Sequence, residues 1–185
     1  MPELPKINKS WSLFLDRDGV INHEKELDYI YNYAEFEFYP GALNALRILA
    51  EKFGRIFIVT NQRGVEKELM TESALIQLHQ EMRKDIEKNG GRIDAIYYCT
   101  SLDNAHPNRK PQAGMAIAAR DSFPEIDFSK SIMVGNNISD MLFGRNAGMQ
   151  TVLVLTTSPD QSLPHPVVDY DFADLAAFAT EIENN

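Results

Sequence analysis

Cysteine is almost missing from this chain: Cys99 is the only one in 185 residues. No internal disulfide can form, and a reducing, cytoplasmic setting is the expectation. Long hydrophobic runs are missing as well. No stretch approaches the roughly 18 apolar residues needed to cross a bilayer, and the opening MPELPKINKSW has no apolar segment of the kind that directs export. Positive charge is scarce, with 18 Lys and Arg against 27 Asp and Glu and a net charge of -9. That balance argues against a nucleic-acid-binding face, so any cations serving an anionic ligand must be locally concentrated. Repeats, low-complexity tracts, linkers and coiled-coil patterns are absent too, so residues 1–185 read as one domain and a monomer. What remains is 44% apolar residues, enough for a full core and too many for wholesale disorder.

Short apolar runs alternate with helical patterns, as in an α/β domain with a mainly parallel, doubly wound, three-layer sheet. The runs are Ser12–Leu15, Ile56–Val59, Ile93–Tyr98, Ser131–Val134 and Thr151–Leu155. Helical patterns cover Gly41–Phe53, Thr71–Lys88, Gly114–Phe123 and Ile138–Ala147, with a last helix over Phe172–Ile182. Thr71 suits an N-cap, and Asn89-Gly90-Gly91 suits the stop of the same helix. Trp11 is expected to pack against the edge of the first strand.

Polar clusters fall where the strands end. Asp16-Arg17-Asp18 follows the first run, Thr60-Asn61-Gln62 the second, and Asn136 with Asp140 the fourth. Doubly wound sheets bind ligands outside the carboxyl ends of their strands, so the three clusters predict one composite site. A helix N-terminus facing that crevice would suit a phosphate. In extended backbone, residues two apart point the same way, so Asp16 and Asp18 are expected to share the site while Arg17 points elsewhere. Paired carboxylates can hold Mg²⁺, attack as a nucleophile or transfer protons. Alone, the spacing is equally that of a solvated acidic turn. Thr60 can donate to a phosphoryl oxygen, and Asn61 and Gln62 can read substrate hydroxyls, although such a triplet also caps helices. Arg109 and Lys110, just before Pro111, can neutralise phosphate charge or stand as a solvated basic pair. His23, His79 and His165 have no partner spacing and read as surface or core histidines. The aromatic stretch Tyr29–Tyr39 reads either as a sugar-pocket wall or as a packed connection.

In order and spacing, LDRDG, VTNQ, RKP and VGNNISD resemble the haloacid-dehalogenase-like (HAD-like) phosphatases, over nearly all of Leu13–Met149. FLDRDGVIN, FEFYPGALNALRIL, VTNQRGV and IDAIYYC…RKPQAGM are most similar to the branch acting on heptose 1,7-bisphosphate and histidinol phosphate. The resemblance implies a Rossmann-like fold without a separate cap domain, only short loops, and an open site. It implies Asp16 as nucleophile, forming an aspartyl phosphate, and Asp18 as acid and then base. Thr60 and Lys110 would hold phosphoryl oxygens, with Asn61, Gln62 and Arg109 on the substrate side. Mg²⁺ would take the Asp16 carboxylate, the Asp18 main-chain carbonyl and residue 136. The 7-phosphate of heptose bisphosphate is the preferred substrate, ahead of histidinol phosphate or another small sugar phosphate. A DNA 3′-phosphatase is disfavoured by the acidic charge.

Two positions depart from that pattern. Position 136 carries Asn where the relatives place Asp, so a neutral oxygen replaces a charged one and weaker metal binding is expected. Asp140 can restore part of the field, through a metal-bound water or by orienting Lys110. Between Cys99 and Arg109, CTSLDNAHPNRKP retains only Cys99 and His106 of a zinc-binding loop. Structural zinc wants four Cys/His ligands, so zinc is not expected, and Pro107 and turn hydrogen bonds should hold the loop. Both departures also motivate the opposite reading, a non-catalytic phosphosugar-binding protein.

Overall fold

A computed structural model describes residues 3–185. Its strands are β1 (Ser12–Leu15), β2 (Arg55–Asn61), β3 (Ala95–Cys99), β4 (Ser131–Gly135), β5 (Gln150–Val154) and β6 (Tyr170–Phe172). Its α-helices are α1 (Ala42–Lys52), α2 (Glu72–Lys88), α3 (Gly114–Ser122), α4 (Ile138–Ala147) and α5 (Leu175–Asn184). The strands form one parallel sheet in the order β3-β2-β1-β4-β5-β6.

The side-chain period of two explains the three layers. Leu13 and Leu15 of β1, Ile56 and Ile58 of β2, and Ile132 and Val134 of β4 face one core, with Leu46 of α1, Met82 of α2 and Phe178 of α5. Phe14, Phe57, Val59 and Met133 face the other, under Met115 and Ala119 of α3 and Phe143 of α4. Both faces are buried, which is why these strands read as continuous apolar runs. Trp11 belongs to the first core. It shares that core with Leu13 and Leu15 of β1, a central strand paired on both sides.

Three local expectations need correction. Phe172 belongs to the short edge strand β6 and not to the last helix, which begins at Leu175 after Asp174 accepts a hydrogen bond from the Ala177 N–H at 2.8 Å. Ile93 lies before β3, buried, while Cys99 closes that strand. The link from β1 to α1 is also no short loop. Between Asp16 and Gly41 it contains a 3-10 turn at Tyr33–Glu35 and a bridge from Asn22 to Phe38, with Tyr33 and Phe36 stacked 5.4 Å apart. Those aromatics pack against the core. Among the described residues, no helix is long and apolar enough to cross a membrane.

Candidate active site

The strand order reverses between β1 and β4, both of whose carboxyl ends open on one crevice. Asp16 leaves β1 with its N–H on the Val134 carbonyl of β4, at 3.0 Å. Gly19, at φ +81°, then turns the chain back, its N–H reaching the Asn22 carbonyl at 2.8 Å. An added Cβ there would lie 2.1 Å from Asn136 Nδ2, so only glycine lets the two loops meet this closely. The result is a cavity of about 180 Å³ that gathers Asp16, Asp18, Thr60, Asn61, Lys110, Asn136 and Asp140. Glu24, Asn137 and Ser139 complete its wall. A larger cavity, about 320 Å³, lies beside the β3 edge among Ile76, Arg83, Ile96 and Tyr98. It contains no lysine–carboxylate pair, so chemistry favours the smaller one.

Lys110 organises the cavity floor. Its Nζ lies 2.9 Å from Asp16 Oδ1 and 2.7 Å from Asp140 Oδ1, and all three side chains are largely buried. Burial alone would lower the lysine pKa; the Asp140 and Asp16 carboxylates outweigh it and raise it. Asp140 also accepts the Asn137 N–H at 3.0 Å on Oδ2, within a capping box at the start of α4. Both of its oxygens are therefore committed, one to Lys110 and one to the helix. Burial, opposed by Lys110 and reinforced by Asp140, pushes the Asp16 carboxyl up to about 7.

Asp18 sits in the opposite environment. Burial would push its pKa up, but Arg17 and hydrogen bonds from Asn22 and Gln62 win and hold it low. Arg17 does not point elsewhere: its Nη2 lies 2.9 Å from each Asp18 oxygen, while Nη1 meets His79 Nε2 at 3.0 Å. β1 ends at Leu15, so the alternation that separates neighbours in a strand no longer applies at Arg17 and Asp18. Arginine can only donate, so His79 must accept with a neutral ring. Burial and Arg17 lower that ring's pKa to about 3. This histidine gains its partner only through tertiary structure.

The other expected residues divide. Asn61 holds the Lys110 backbone from both sides, accepting its N–H at 3.1 Å and donating to its carbonyl at 3.2 Å. Gln62 is buried and donates to Asp18 Oδ2 at 2.8 Å and Thr60 Oγ1 at 2.9 Å, so it fixes neighbours from behind. Arg109 is not among the cavity residues. It is buried, donating to the Ser101 carbonyl at 3.0 Å and Asn104 Oδ1 at 3.3 Å, and props the loop before it. In that loop the Asn108 N–H donates to His106 Nδ1 at 3.2 Å, and Cys99 Sγ lies 3.6 Å from the same nitrogen. Gly114 donates to the Pro107 carbonyl at 2.9 Å, closing the turn.

Asn136 is 2% exposed. Its Nδ2 donates to Thr157 Oγ1 at 2.8 Å and approaches Glu24 Oε2 at 3.4 Å, while its Oδ1 is buried with no hydrogen-bond partner. A buried acceptor left empty is costly unless something else fills it. A hard cation suits it, since Mg²⁺ takes oxygen ligands and needs few from the protein. Among the described residues no three His, Cys, Asp or Glu side chains converge as a metal cage. Glu24 was not foreseen. Burial raises its pKa, against the Asn136 hydrogen bond, and Asp18 and Asp140 add to the rise.

A buried lysine beside a strand-end carboxylate, with an oxygen waiting for a cation at the switch point of a parallel sheet, defines an α/β hydrolase built for phosphoryl groups. Comparison with known proteins agrees. A HAD-hydrolase-like family model matches residues 107–175. A D-glycero-α-D-manno-heptose-1,7-bisphosphate 7-phosphatase from Campylobacter jejuni is 40% identical over 80% of this chain and 83% of its own. The Mycobacterium tuberculosis enzyme of that name is 31% identical over 93% and 91%. The crystal structure of D,D-heptose 1,7-bisphosphate phosphatase from B. bronchiseptica, complexed with magnesium and phosphate, superposes with a TM-score of 0.84. It is 26% identical and covers 94% of this chain and 98% of its own. The chain belongs to the haloacid-dehalogenase-like hydrolases, in the heptose-bisphosphate phosphatase family.

Proposed function

We propose that this enzyme hydrolyses the 7-phosphate of D-glycero-D-manno-heptose 1,7-bisphosphate with Mg²⁺, through a phosphorylated Asp16. The observation that carries the proposal is the Asp16–Lys110 contact of 2.9 Å, in one cavity with the unpartnered Asn136 Oδ1. Asp16, the Asp18 carbonyl and Asn136 would hold the metal, which supplies positive charge against the phosphoryl oxygens.

Asp16 attacks phosphorus in line, and the phosphoryl group passes to its carboxylate while the sugar alkoxide leaves. Lys110 and Thr60 hold phosphoryl oxygens, and Asn137 and Ser139 at the start of α4 line the same cavity. Asp18 protonates the leaving alkoxide and then takes a proton from the water that cleaves the aspartyl phosphate. Arg17, Asn22 and Gln62 hold Asp18 as the anion, which favours the second half of that cycle; its acid form is scarce at neutral pH. Asn61 and Gln62 act by placing Lys110, Thr60 and Asp18, and Arg109 by bracing the loop that leads to Lys110. That loop is held without zinc, since Cys99 and His106 would fill only half of a tetrahedral shell.

The test is phosphate release with Mg²⁺ from the α and β anomers of heptose bisphosphate and from histidinol phosphate, beside Asp16→Asn. Release from a heptose bisphosphate, preferred over histidinol phosphate and abolished in Asp16→Asn, is expected. Equal release from Asp16→Asn would refute the nucleophile, and preference for histidinol phosphate would refute the substrate.

A further inference from the structure

Asn136 poses a charge problem. A dication beside Asp16 meets a neutral oxygen at 136, and Asp140 is tied to Lys110 and the Asn137 N–H. Asp18 is gripped by Arg17 at 2.9 Å, so the remaining carboxylate on the cavity wall is Glu24. Its Oε2 lies 3.4 Å from Asn136 Nδ2, and among the described residues it has no ion-pair partner. Lys25 next to it is held by Glu35 at 2.7 Å. Around the cavity, four carboxylates (Asp16, Asp18, Asp140 and Glu24) face two cations, Arg17 and Lys110. Four minus two leaves a double negative excess, which a dication balances.

We infer that Glu24 supplies the negative charge that position 136 lacks, acting through the Asn136 amide to complete the Mg²⁺ site. The inference rests on the metal-assisted reading above. An amide whose N–H points at a carboxylate carries more electron density on its carbonyl oxygen, as outer carboxylates raise the basicity of other ligands. Here that oxygen is the buried, unpartnered Oδ1. Glu24 lies exposed on the cavity wall, where its carboxylate is open to solvent. It is a positioning residue for the metal rather than a group that touches the reacting phosphorus.

The experiment titrates Mn²⁺, as a spectroscopic probe for Mg²⁺, into the full chain and reads bound metal by electron paramagnetic resonance. Glu24→Gln, Asn136→Asp, their combination and Asp16→Asn are compared with the parent, with thermal midpoints as folding controls. Glu24→Gln is expected to weaken Mn²⁺ binding roughly tenfold or more. Asn136→Asp should tighten it, and the double variant should recover at least the parent affinity. Glu24→Gln within twofold of the parent would overturn the inference, as would a raised substrate KM with unchanged Mn²⁺ affinity. If the parent binds no more Mn²⁺ than Asp16→Asn, the metal site falls and the assignment of Glu24 with it. Parent binding and phosphate release, with Glu24→Gln unchanged, sinks Glu24 alone.

Discussion

His79 offers a test of how the site is supported from behind. Its Nε2 accepts from Arg17 Nη1 at 3.0 Å, and the same guanidinium grips Asp18. The ring is 5% exposed, faces Arg17 and Asp18, and has Tyr98 5.7 Å away. His79→Leu leaves a charged N–H buried without an acceptor, which costs about 1–3 kcal/mol. For a chain of this size that is roughly 3–10 °C of Tm. His79→Gln keeps a carbonyl acceptor and should lose less. Both substitutions also remove a titration. Unfolded, the ring titrates near 6.5; folded, near 3. Between those values the unfolded chain binds the extra proton, so the contribution is full above 6.5 and is lost as pH falls toward 3. From pH 7 to pH 5 the parent should therefore lose about 2 kcal/mol more than either variant. Urea denaturation at the two pH values measures this directly. If parent, His79→Leu and His79→Gln lose equal stability over that interval, the neutral buried histidine is wrong.

Lys110→Met removes the cation shared by Asp16 and Asp140, and kcat/KM should fall by about 10²–10³ or more. Its stability penalty should be smaller at pH 5 than at pH 8, because the deserted Asp16 carboxyl, pushed up to about 7 even beside Lys110, is protonated at the lower pH; equal penalties by urea denaturation would refute this. Gly135→Ala would place a Cβ 2.2 Å from Asp140 Cβ and 2.4 Å from its Oδ2. We expect a cost of about 1–3 kcal/mol from overpacking, with activity lost because Asp140 is pushed off Lys110. Parent-like stability and turnover would show that α4 can retreat.

Much of the site was legible before any fold was known. Asp16, Thr60 and Asn136 each follow an apolar run that became a parallel strand, and a parallel sheet sends all its carboxyl ends to one side. The part that was not legible is the support. Arg17 and His79 are sixty-two positions apart and meet only because α2 packs beside the sheet. Gln62 and Arg109 read as substrate contacts in the sequence; the fold buries both and sets Gln62 on Asp18 and Arg109 on the Ser101 carbonyl. The edge strand β6 escaped notice because three residues carry too little pattern.

The sequence by itself determined the layering, since continuous apolar strand runs put apolar side chains on both faces of the sheet and need helices over each. It also determined the chemistry available, by placing carboxylates, a lysine and amides at strand ends. Only the tertiary structure decided which charges meet. Lys110 spans Asp16 and Asp140, Arg17 folds back on Asp18, and Asn136 turns its N–H toward Glu24 while its oxygen has no hydrogen-bond partner. These are contacts over a few ångströms between residues far apart in the chain. Local propensity and spacing do not encode them; burial and packing do.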